Sequence, residues 1–99
     1  MTVYVVSAID KQDEALYAEY ESDAFATFPG HEGVEILALS DDLRCLEGSA
    51  PGRRMVLMGA PDQETFDRWY ASTAYQAAKA KRLAASDTRF TVMLEAADA

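Results

Sequence analysis

The sequence predicts one α+β domain with the element order β-α-β-β-α-β. Three observations carry that expectation. Short runs rich in β-branched and apolar residues recur at the two ends and in the middle of the chain. Two stretches with apolar residues at helical spacing separate them, and clusters of Pro, Gly, Ser and Asp mark the joints. At 99 residues, with no low-complexity linker and no internal repeat, the chain reads as a single domain over 1–99.

Thr2 to Ile9 (TVYVVSAI) is β-branched and aromatic and reads as the first strand. Asp10 is the expected N-cap of the first helix, with Asp13 and Glu14 in the first turn where the helix dipole favours acids. Leu16, Tyr20, Ala24 and Phe28 recur every four residues, with Tyr17 beside them, and form one apolar stripe. Pro29-Gly30 stops this helix, and Gly33 ends the loop.

Val34 to Leu39 (VEILAL) is the second strand, followed by turn chemistry at Ser40-Asp41-Asp42. Leu43 to Glu47 reads as a short extra strand or an extended arm, and GSAPG (Gly48 to Gly52) as a loop. Arg54 to Met58 gives the third strand, with Ala60 as its far limit. Pro61-Asp62 opens the second helix, which carries Phe66, Trp69, Tyr70 and Thr73 on one face. Ser72 re-caps the chain after a bend, so Thr73 to Ala84 is a further helical segment. Ser86-Asp87 breaks it, and Arg89 to Glu95 is the last strand. This order is the ferredoxin-like split-βαβ pattern.

Composition narrows the function classes. Seventeen acids against nine bases give a net charge of −8, and residues 1–50 alone carry −9. Such a chain lacks the clustered Lys and Arg that neutralise phosphates, so neither nucleic acid nor an anionic membrane surface is an expected partner. No apolar run approaches the roughly 20 residues of a bilayer span. No basic segment followed by an apolar one opens the sequence, so no leader peptide is expected and the chain is placed in the cytoplasm. One cysteine, Cys45, and one histidine, His31, make neither an internal disulfide nor a standard zinc site, and no metal is expected. The Gly-rich phosphate loop and the G-x-S-x-G elbow are both missing, which argues against phosphoryl transfer and serine hydrolysis.

The strands also predict an assembly. Two helices cover one face of a four-stranded sheet, and the other face should then alternate apolar and polar residues. Here Val3, Tyr4, Val5, Val6, Ala8 and Ile9 are apolar in both parities, as are Met55, Val56, Leu57 and Met58. A monomer seldom exposes that much apolar surface, and a two-fold homodimer packed sheet to sheet would bury it.

Several motifs together resemble one family. Tyr17-x-x-Tyr20, Leu46-Glu47-Gly48, Arg54 at the head of an apolar strand, Trp69-Tyr70-x-Ser72-x-x-Tyr75-Gln76 and Arg82 resemble the family catalogued as domain of unknown function 1330. The resemblance spans nearly the whole chain and implies a dimeric α+β barrel. Related barrels include cofactor-free monooxygenases, polyketide cyclases, muconolactone-type isomerases and haem-binding enzymes, with pockets between sheet and helices. Where the family strand usually ends in an acid followed by Phe, this chain has Gly59-Ala60, and the missing side chains are expected to widen a cavity.

Glu47 and Arg54 flank the GSAPG loop, which is expected to bring them close. In one reading they are a catalytic pair at a pocket mouth, the guanidinium holding an enolate or carboxylate while the acid shuttles a proton. In the other they are a salt bridge that pins the loop. Tyr17, Tyr20, Trp69, Tyr70 and Tyr75 are the expected ligand-binding aromatics, or else core residues at helical spacing. His31 reads as a solvated loop residue and Cys45 as a partly buried structural thiol. The expected function is binding of a small organic molecule in a cavity between sheet and helices, with cofactor-free isomerisation, cyclisation or oxygenation as its catalytic form. The alternatives are a non-catalytic carrier or sensor, or a structural dimerisation module.

Overall fold

Two central strands, β1 (Val3–Lys11) and β3 (Arg54–Ala60), are flanked by β2 (Glu35–Ser40) and β4 (Ser86–Glu95) in an antiparallel sheet of order β2-β3-β1-β4. Three helices complete the computed structural model, which describes residues 1–97: α1 (Glu14–Phe25), α2 (Gln63–Tyr70) and α3 (Thr73–Ala85). This is the ferredoxin-like α+β fold, with both crossovers passing over one face of the sheet.

Register sorts the strand residues into two faces. Val5 lies between Met58 and Met93, and Met58 lies beside Ile36. That row meets Ala24, Phe66, Trp69, Tyr75 and Ala78 from the helices and forms the core. Val6 lies between Leu57 and Val92 in the row of opposite parity, and Tyr4 lies beside Leu94. No helix among the described residues covers this second face, and Val92 and Leu94 are each 49% exposed.

The helix starts follow side-chain capping. Asp62 accepts from Thr65 N at 2.7 Å and Ser72 accepts from Tyr75 N at 3.2 Å, as their positions in the sequence predict. The first helix differs. Asp13, not Asp10, is the N-cap, accepting from Leu16 N at 3.0 Å. Asp10 stays extended because β1 runs on to Lys11, paired with Asp87 and Ser86 of β4. Its carboxylate meets Arg89 at 3.3 Å instead.

The end of α1 differs too. It stops at Phe25, before Phe28, because Thr27 turns back on Ala24 O through both its N–H and its hydroxyl. Phe28 still packs inwards, stacked on Trp69 at 5.4 Å. Gly33, at φ +95°, ends the following loop, where a Cβ would lie 2.7 Å from Pro61 Cδ. Both the left-handed backbone and the close approach require glycine there.

The Leu43 to Glu47 segment forms no strand. The strand it leads into, β3, is already paired with β2 and β1 on its two sides. Cys45 is exposed rather than partly buried, its thiol donating to the carbonyls of Glu47 and Gly48. Gly59 and Ala60 fall on different faces: Ala60 is core, and Gly59 lies beside Tyr4 and Leu37 on the uncovered face. The space they leave contributes to an open groove on that side, lined also by Thr2, Glu35 and Pro61.

Candidate functional site

An aromatic-lined cavity of about 560 Å³, its open mouth included, lies between the helices and the inner face of the sheet. Its interior is narrow, so a ligand larger than a few waters must push side chains aside. All five aromatics singled out in the sequence line it: Tyr17 and Tyr20 from α1, Trp69 and Tyr70 from α2, and Tyr75 from α3. Trp69 and Tyr17 are 2% and 1% exposed, so they pack the core and wall the cavity at once.

The W-Y-x-S-x-x-Y-Q run explains this convergence. It is a corner between two helices. Ser72 Oγ donates to Trp69 O at 2.7 Å while accepting from Tyr75 N, and Gln76 Nε2 donates to Tyr70 O at 2.7 Å. Those bonds satisfy the last carbonyls of α2 and the first N–H groups of α3. The rings on either side of the corner then meet, with the Trp69 and Tyr75 centroids 4.1 Å apart. Tyr20 and Tyr75 join hydroxyl to hydroxyl at 3.0 Å. Burial drives the phenols of Tyr17 and Tyr20 well above their ordinary pKa, so both stay protonated.

Polar groups in the lining are few. Ser7 and Thr91 share a hydrogen bond of 3.0 Å on neighbouring strands. Arg82 comes from α3 and Glu21 from α1. Burial raises the Glu21 carboxyl above its ordinary value, against the pull of Arg54, whose Nη1 lies 2.5 Å from it. Arg54 also holds Asp41 through Nε at 2.7 Å, and Lys11 holds the same carboxylate at 2.8 Å. Those two hydrogen bonds bring the Asp41 carboxyl down to about 2. The Arg54 guanidinium also sits 5.7 Å from the Tyr17 ring centre, which ties the cluster to the cavity wall.

Glu47 takes no part in this cluster. The carboxylates on Arg54 are Glu21 and Asp41, whereas Glu47 is exposed in the loop before β3. Asp41 at the end of β2 lies across the sheet edge from the head of β3, and α1 passes above both. Those two elements reach the guanidinium first. His31 lies in a turn, its N–H bonded to Phe28 O at 2.9 Å.

Sequence reasoning gave no site role to Glu21, Ser7 and Thr91, nor to Arg82, which entered only with the motif that carries the family resemblance. Glu21 had a signal: with Tyr17, Tyr20 and Ala24 it shares the helical face that points inwards, but an acid on an apolar stripe reads as solvated. Ser7 and Thr91 had none, because their meeting depends on the pairing of the first and last strands. Among the described residues no three His, Cys, Asp or Glu side chains are grouped to hold a metal ion. No helix among them is long and apolar enough to cross a membrane.

The family model described as domain of unknown function (DUF1330) matches residues 2–96. No curated protein matches the sequence. Solved structures share the fold at low identity. A dimeric ferredoxin-like protein of unknown function from Jannaschia sp. CCS1 superposes with a TM-score of 0.80 at 14% identity, covering 97% of this chain and 100% of that one. SnoaB, a cofactor-independent oxygenase from Streptomyces nogalater, superposes with a TM-score of 0.72 at 17% identity, covering 99% of this chain and 95% of its own. A putative antibiotic biosynthesis monooxygenase from Caulobacter crescentus CB15 gives 0.64 at 19% identity, over 98% and 91%.

Proposed function

The chain belongs to the family of domain of unknown function DUF1330, and we propose that it works as a homodimer that binds a small, largely apolar organic molecule in the cavity between sheet and helices. One observation carries this reading: five aromatic side chains from three helices converge on a single cavity that holds few polar groups. Ligand sites are built in this way, with apolar walls for affinity and a few polar groups for orientation. The uncovered sheet face around Val6, Leu57, Val92 and Leu94 supports the dimer, and one neighbour of the same fold is described as dimeric. Cys45, a lone exposed thiol, fits a reducing cytoplasmic compartment.

A catalytic form of this reading is cofactor-free chemistry on an activated carbonyl compound. Glu21 supports it, since a carboxyl raised by burial at a cavity wall is suited to taking and returning a proton. In this reading Arg54 acts with Glu21, and Glu47 is a loop residue. A neighbour of the same fold is described as a cofactor-independent oxygenase, although fold alone does not choose an activity.

Native mass spectrometry of freshly purified protein tests the binding reading. The expected result is a dimer that retains a small molecule, or takes up aromatic acids in a thermal-shift screen with a raised melting temperature. A dimer that arrives empty and answers to no member of the screen would leave the structural dimerisation module as the function. Turnover that is lost in Glu21→Gln separates enzyme from carrier.

A further inference from the structure

Arg82 is the most deeply buried charged residue among those described, 4% exposed, and it forms no ion pair among them. The other cations with well-buried side chains, Arg54 and Lys11, are paired, as is the half-buried Lys81. Arg54 has Glu21 and Asp41, Lys81 has Glu19 and Asp23, and Lys11 has Glu14 and Asp41. Arg82 has only neutral company: its Nη1 donates to Thr88 Oγ1, and its guanidinium carbon lies 5.8 Å from the Tyr20 ring centre. A guanidinium does not lose its proton in a protein, so the charge stays. Burying it without an anion is costly.

The neighbouring hydroxyls deepen the imbalance. Tyr20 and Tyr75 spend one O–H proton on their mutual bond, and the second is left over. Ser7 and Thr91 do the same on the sheet floor. The cavity therefore offers the Arg82 N–H groups and two spare hydroxyl protons. Among the described residues the one carboxylate in its lining, Glu21, is taken by Arg54. What is missing is a free anion, since the acceptors left to Arg82 are neutral hydroxyl oxygens.

We infer that Arg82 is the anion anchor of the cavity, and that the ligand is an organic carboxylate on a planar apolar body. The carboxylate sits at Arg82 with the Tyr20 and Tyr75 hydroxyls, and the planar body lies against Trp69 and Tyr70. Charge-assisted bonds from a guanidinium are the stronger kind, which makes this end of the ligand the decisive one. The inference rests on the cavity being a ligand site, and adds the class of ligand.

Benzoate and benzamide differ in charge and share size and shape, and benzoate is among the smallest planar carboxylates. Titrating each into 15N-labelled protein, followed by NMR, reads both the Trp69 indole signal and the Arg82 Nε–H signal. Benzoate is expected to move both and to bind at least about ten-fold more tightly than benzamide. Arg82→Gln should bring benzoate down to the benzamide affinity and leave benzamide unchanged. Should that variant not fold, Tyr75→Phe serves instead, weakening benzoate several-fold and more than benzamide. Equal affinities in the wild type, with the Arg82 signal unmoved, would overturn the anchor and leave the cavity as a ligand site. If neither probe moves the Trp69 signal, the ligand site itself falls and the anchor with it.

Discussion

The indole Nε1 of Trp69 donates to Thr27 Oγ1 at 2.8 Å, and that hydroxyl donates onward to Ala24 O at 2.5 Å. This relay ties α2 to the end of α1 across the core and lets a large ring be buried with no polar atom unpaired. Trp69→Ala should therefore cost about 3–5 kcal/mol, from the lost ring and the cavity it leaves. Thr27→Val keeps the shape, strands the indole N–H, and should cost about 1–3 kcal/mol. Denaturant melts at fixed protein concentration measure both.

Light scattering at micromolar concentration should give twice the chain mass. Val92→Asp places a charge on the half-exposed outer face, beside Val6 in the register, and should yield a folded monomer with an unchanged circular-dichroism spectrum. A wild-type monomer would remove the sheet-to-sheet dimer.

Arg54→Gln and Glu47→Gln should differ in stability. The Arg54 side chain is 12% exposed and its loss leaves Glu21, partly buried, without a counter-charge. A cost of about 1–3 kcal/mol is expected, short of the figure for a fully buried pair. Glu47 is exposed, and its change should stay within about 0.5 kcal/mol. Paired melting curves check this. Ligand titrations on the same proteins show whether either residue touches a ligand.

Acid stability should carry the mark of Asp41. Its carboxyl titrates near 2 in the folded chain, below the ordinary carboxylate range, so between about pH 4 and pH 2 the unfolded chain binds more protons. Its contribution is complete above about pH 4 and fades as the pH falls through 2. The Asp41 side chain is 38% exposed, which keeps the effect to about 0–1 kcal/mol. Glu21 acts in the opposite sense, because its raised carboxyl favours the folded state at low pH and loses that contribution as the pH rises through its folded value. Asp41→Asn should flatten the fall in stability across pH 4 to 2, measured by urea melts over that range.

Local chemistry in the chain determined much of this molecule. Asp62 and Ser72 mark their helix starts because a short oxygen side chain can cap only a helix that begins just after it. The aromatic run from Trp69 to Tyr75 announces one inward face because helical spacing leaves little choice. β-Branched runs place all four strands within a few residues of where they lie, and the double-faced apolar pattern is visible before any pairing is known. Tertiary structure decided the rest. Asp10 became a strand residue because β4 was there to pair with it, and α1 ended early because Thr27 had Trp69 to serve. The partner of Arg54 is Glu21, not Glu47, because a guanidinium takes the carboxylates that packing brings within reach, and distance along the chain does not measure that reach. In the sequence Arg82 is only a member of the motif set near the end of a helical segment. Only the packing of α3 against α1 and β4 makes it a buried charge facing a cavity with no free acid to meet it.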